Sequence, residues 1–134
     1  MTYCLDTNTC IYLLKGSFPH LSARFLALPP DRFALPAMVV AELYFGAEKS
    51  DRAKLVRARL ADFLAPLNIL PFDEKAAIRH AETRAALEKA GIPIGPEDLV
   101  IGATALAHGC ALVTHNTREF GRIPGLLVED WTHA

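Results

Sequence analysis

Short apolar runs that stop at a carboxylate constrain this chain more than any other feature. Tyr3-Cys4-Leu5 ends at Asp6, Glu42 stands between Met38-Val39-Val40-Ala41 and Leu43-Tyr44-Phe45, and Asp98 opens Leu99-Val100-Ile101-Gly102-Ala103. An acid in apolar surroundings is costly unless it is paired, hydrogen-bonded or holding a cation. A fold that accommodates all three does so most simply by bringing them to one polar opening at the ends of its core elements, as a shared cation site.

The apolar runs also indicate the fold. Thr2 to Leu5, Arg32 to Leu35, Asn68 to Leu70, Ala111 to Val113 and Leu126 to Val128 read as short strands, and they do not alternate apolar with polar. Helical segments separate most of them. This combination predicts a parallel α/β sheet covered on both faces.

Thr7-Asn8-Thr9 offers caps for a helix through Lys15 that stops at Gly16. A second helix is predicted from Ser17 to Leu28, halted by Pro29-Pro30, and a third from Pro36 to Glu48. Asp51 is the expected cap of a helix through Phe63, and Asp73 of a long helix to Ala90 followed by Gly91. A further helix is expected from Glu97 to His108, and Asn116-Thr117-Arg118-Glu119 has capping-box form. Ligands of such sheets bind outside the carboxyl ends of the strands, where Asp6 and the pair His115-Asn116 fall.

A chain of 134 residues fits one domain, residues 1–134, able to bury roughly two-thirds of its unfolded surface without disulfide staples. Its three cysteines, Cys4, Cys10 and Cys110, are odd in number and lack CxxC spacing, which argues against a disulfide framework or a zinc site. A net charge of −1 gives no global field for nucleic acid, so any contact with RNA must use local basic clusters. Arg52-Lys54-Arg57-Arg59 and His115-Arg118-Arg122 are two such clusters, and each also reads as a solvated helix face. With no signal peptide and no membrane-length apolar run, a cytoplasmic location is expected.

Clustered acids raise one another's pKa, and a divalent cation reverses that effect. All-oxygen ligands select Mg²⁺ or Mn²⁺ over zinc, and such a site suits phosphodiester hydrolysis.

Leu5-Asp6-Thr7-Asn8-Thr9, Ala41-Glu42-Leu43, Gly95-Pro96-Glu97-Asp98-Leu99-Val100-Ile101-Gly102-Ala103 and Thr114-His115-Asn116-Thr117-Arg118-Glu119-Phe120 occur in order. With Ile123-Pro124-Gly125-Leu126 and Glu129-Asp130-Trp131, they make the chain resemble PIN-domain ribonucleases, and more closely the VapC toxins of type II toxin–antitoxin systems. The resemblance implies a three-layer α/β/α PIN-like fold with a short central parallel sheet. It also implies a Mg²⁺-dependent endoribonuclease (Mn²⁺ as substitute), a cognate VapB antitoxin, a homodimer, and structured RNA as substrate, with tRNA the favoured subclass.

By the same resemblance Asp6, Glu42 and Asp98 match the family's first three acids and are the expected metal ligands. Asn116 fills the fourth position, where many PIN domains carry aspartate, and Glu119 is positioned to supply the missing carboxylate. Glu97 reads better as a complement to the helix dipole. Two other readings stay open. A non-catalytic metal-binding module is favoured by Asn116. A haloacid-dehalogenase-type phosphatase is favoured by Asp6-Thr7-Asn8-Thr9, although the second aspartate of its DxDxT motif is missing.

Overall fold

The computed structural model describes residues 1–134. Five strands, β1 (Tyr3–Leu5), β2 (Phe33–Pro36), β3 (Asn68–Leu70), β4 (Ala111–Val113) and β5 (Val128–Glu129), form one sheet in the order β3-β2-β1-β4-β5. Every pairing is parallel. Seven helices flank it: α1 (Thr7–Lys15), α2 (Pro19–Leu26), α3 (Ala37–Glu48), α4 (Ala53–Leu64), α5 (Glu74–Ala90), α6 (Pro96–Ala107) and α7 (Thr117–Phe120).

All of β2 and β4 is buried, as are Cys4 and Leu5 of β1. Successive strand residues point to opposite faces, so unbroken burial means that both faces are covered. That is why these runs lack alternation. By contrast, β3 is an edge strand with Asn68 and Ile69 exposed.

Helix boundaries follow local chemistry. Gly16 and Gly91 close α1 and α5 in the left-handed conformation, with φ of 66° and 73°. Asp73 caps α5 by accepting from the Ala76 N–H. Three expectations differ. Asp6 itself caps α1, ahead of the threonines. Asp51 caps nothing, because α4 begins at Ala53 and the Ser50 side chain accepts from the Arg52 N–H. Pro19 starts α2, and Pro30–Arg32 forms a 3₁₀ turn leading into β2.

Around Gly102 the packing is tight. A Cβ there would collide with Ile123 Cδ1, so the glycine lets Ile123 of the segment between α7 and β5 lie against α6. The three cysteine thiols are free and buried. No helix is long and apolar enough to cross a membrane.

Candidate active site

The sheet changes direction at β1. From it the chain builds outward through β2 to β3, then returns to add β4 and β5 on the other side. The carboxyl ends of β1 and β4 therefore flank a topological switch point, where the two halves of the sheet diverge and leave a crevice. Asp6 follows β1 and Thr114 follows β4.

Asp6 is 5% exposed, and both of its carboxylate oxygens are engaged. One accepts from the Thr9 N–H at 2.9 Å and the other from the Thr114 hydroxyl at 2.6 Å. Thr114 is itself buried and accepts from the Asn116 N–H at 2.9 Å. Thr9 ties back to β4 by donating to the Val113 carbonyl at 3.2 Å. This lattice fixes the Asp6 carboxylate between two parallel strands. Glu42, on α3, accepts a hydrogen bond from the Thr7 hydroxyl at the start of α1.

Asp98 lies in the first turn of α6 and Glu119 in α7. Burial raises the Asp98 pKa to about 7, reinforced by a hydrogen bond with Glu119 and by the negative charges of Glu119, Asp6 and Glu42. Glu119 moves the other way: the Asn116 amide holds it below the usual carboxylate range, and hydrogen bonding with Asp98 and the Gly95 N–H adds to that. The two carboxyls thus share one proton, which resides on Asp98.

Asn116 donates from Nδ2 to Glu119 at 2.9 Å. The expected capping box does not form, because the Asn116 side chain makes no cap hydrogen bond and is occupied by the Glu119 carboxylate. Glu97 is exposed on the first turn of α6.

Acids from three other segments, Asp6, Glu42 and Glu119, therefore act electrostatically on Asp98. Sequence reading brought Asp6, Glu42, Asp98, Asn116 and Glu119 together, and the fold does the same. It missed the threonine lattice as a unit, and it missed the cleft beside Asp6, about 230 Å³ in volume and lined by Asn8, Tyr12, His115 and Asn116. Helical spacing was the only available signal, since Asn8 and Tyr12 are four apart.

No three His, Cys, Asp or Glu side chains already converge as a closed metal cage. Magnesium does not require one, because it is usually held by one or two carboxylates and keeps several waters. The all-oxygen donor set and the proton retained by Asp98 fit a hard divalent cation.

The PIN domain family profile matches residues 3–126. This chain belongs to the PIN-domain family. Within it, the chain is 40% identical over 131 residues to the tRNA(fMet)-specific endonuclease VapC of Salmonella typhimurium, covering 98% of each chain. The structure of DNA-bound VapBC from Salmonella typhimurium contains a chain that superposes with a TM-score of 0.91 at 39% identity, covering 98% of both. VapBC2 from Rickettsia felis gives a TM-score of 0.90 at 34% identity, covering 98% of this chain and 99% of the other. The protein is a PIN-domain ribonuclease of the VapC type, and the acid cluster lies at the switch point of its PIN sheet.

Proposed function

We propose that this PIN domain, spanning residues 1–134, is the endoribonuclease toxin of a VapBC-type pair and cuts structured RNA. Transfer RNA is the substrate class that its similarity to a tRNA(fMet)-specific endonuclease favours. The observation that carries the reading is the convergence of the Asp6, Glu42 and Glu119 charges on Asp98 beside the sheet's switch point.

Asp6 and Asp98 would hold Mg²⁺, or Mn²⁺ in its place, with Glu42 completing the site. When bound, the cation supplies charge neutralisation at the phosphate and a more acidic water. Thr9 and Thr114 keep Asp6 oriented, and Thr7 keeps Glu42 oriented. Asn116 fixes Glu119, which takes the place of a fourth aspartate and accepts a hydrogen bond from protonated Asp98. A single-stranded loop is the expected site of cutting, because its backbone is accessible.

The proposed partners are a VapB-type antitoxin and a second copy of the chain. Relatives solved as VapBC assemblies support the first. Among the apolar residues of the first helices and the turn between them, which would form a groove for an antitoxin helix, Ile11, Phe18 and Phe25 pack against the core edge, while Leu14 is 43% exposed. Phe25 packs at a tilt against Phe33 and stacks on Phe63, so it serves the core as well.

The test is to incubate purified protein and its Asp6→Asn variant with initiator tRNA transcript and MgCl₂, then map the RNA ends. Asparagine keeps the cap on α1 that alanine would remove. Hydrolysis by water is expected to leave 5′-phosphate and 3′-hydroxyl ends, and Asp6→Asn should lower the rate at least about a thousandfold. A 2′,3′-cyclic phosphate product would refute the mechanism. Equal cleavage by the variant would place the active site elsewhere.

A further inference from the structure

The cleft beside Asp6 contains an arrangement that acid chemistry does not need. His115 lines it, opposite Asn8 and Tyr12 on α1. The His115 ring is held from three directions. Asp130 lies 3.0 Å from Nδ1, Thr132 Oγ1 lies 3.3 Å from the same nitrogen, and Phe18 packs against the ring at 5.8 Å between centroids. Phe18 is in turn braced edge-on by Tyr12 at 4.9 Å.

Burial favours protonation of Asp130, but hydrogen bonds from Thr132 and His115 outweigh it and leave the acid below its usual range. An ionised carboxylate only accepts, so Nδ1 carries the proton that faces it. The Thr132 hydroxyl donates to Asp130 at 2.7 Å and therefore cannot also donate to the ring. With the Nδ1 proton directed at Asp130, Nε2 has no protein partner and is open to a hydrogen bond from a ligand.

Resting on the ribonuclease reading above, we propose that this cleft is a nucleotide subsite in which His115 Nε2 accepts a hydrogen bond from a ribose 2′-hydroxyl next to the scissile phosphate. Its volume of about 230 Å³ is on the scale of part of a single nucleotide. The 2′-hydroxyl is the group that distinguishes RNA from DNA. Asn8 and Tyr12 supply the facing wall. Asp130 is a positioning residue: it fixes the ring and its tautomer, and touches no substrate.

The experiment measures single-turnover cleavage of synthetic initiator tRNAs in which each nucleotide flanking the cut in turn is 2′-deoxy. Attack by water leaves the 2′-hydroxyl out of bond breaking, so a deoxy nucleotide remains cleavable. In the wild type, one deoxy position should slow cleavage about fivefold to tenfold, the loss of a single hydrogen bond. His115→Ala should cost the all-ribose RNA a similar factor, and the deoxy penalty at that position should disappear. Asp130→Ala should reduce the same penalty, and Asp130→Asn, which still offers an acceptor, should retain it. No position-specific penalty in wild type, or an undiminished penalty in both His115→Ala and Asp130→Ala, overturns the subsite alone. A wild-type protein that cuts no RNA overturns the ribonuclease reading and the subsite with it.

Discussion

Lowering the pH from 8 to 6 should weaken cation binding by titrating one residue, Asp98. Its carboxyl carries a proton up to about pH 7 because it is partly buried, hydrogen-bonded to Glu119 and close to the charges of Glu119, Asp6 and Glu42. A cation must displace that proton. With a pKa of about 7, the ionised fraction falls about tenfold from pH 8 to pH 6, and apparent Mn²⁺ affinity should fall by the same factor. Isothermal titration calorimetry reads this directly. Repeating it in buffers of different ionisation enthalpy counts the protons released, close to one at pH 6 and few at pH 8. Glu119→Gln removes a hydrogen-bonding partner and a negative charge but leaves the burial, so the pH midpoint should move down without reaching the ordinary carboxylate value. Asp98→Asn should abolish the slope, while His115→Ala keeps it. Equal affinity of the wild type at the two pH values, or an unchanged slope in Asp98→Asn, would refute the linkage.

The same group sets the sign of metal-free stability. A carboxyl whose folded pKa is raised stabilises the fold below its unfolded pKa and loses that contribution as pH rises through about 7. At pH 8 without metal, Asp98→Asn should therefore raise Tm by about 3 °C, equivalent to about 1 kcal/mol after discounting for a half-exposed site; a lower Tm would contradict it. Thr114→Val removes a donor to Asp6 and the acceptor of the Asn116 N–H. It should cost about 1–3 kcal/mol in urea unfolding and also slow RNA cleavage. Gly102→Val would collide with Ile123 and should destabilise by about 1–3 kcal/mol in the same assay. Leu14→Asp, on the exposed side of α1, should weaken binding of a VapB-type antitoxin at least about tenfold with Tm unchanged, measured by surface plasmon resonance.

Sequence was most informative where one physical demand dominates. Strands buried on both faces give unbroken apolar runs, so β1 and β4 were recognisable almost to the residue. Glycines in the left-handed conformation marked the ends of α1 and α5. Competition between local partners was harder to read. Asp6, placed directly before the helix, took the capping role expected of Thr7-Asn8-Thr9, and its other oxygen was claimed by Thr114, 108 positions away. No periodicity encodes a contact of that separation. The His115–Asp130 pair was equally hidden, since it depends on how the segment after β5 returns beside the switch point. Asn116 to Glu119 has capping-box form in the sequence, and a helical turn does start there, but the box itself is absent for a related reason. Local spacing permits that box, but the Asn116 amide donates to the Glu119 carboxylate instead, and the Asn116 N–H donates to Thr114.

Asn116 also shows how a neutral residue fits a site built from acids. An aspartate at this position would add negative charge beside Glu119 and raise the cost of ionising Asp98 still further. Asparagine instead donates to Glu119 and lowers its pKa. The charge that many PIN domains carry at the fourth position is thereby moved three residues along the chain, onto a carboxylate held by an amide and by the Gly95 N–H at the mouth of α6. Asp6, Glu42 and Glu119 each accept from a hydroxyl, an amide or a backbone N–H, whereas Asp98 retains the proton. Repulsion among the acids is thus concentrated on one titratable group, where a divalent cation can relieve it and where pH can control the exchange.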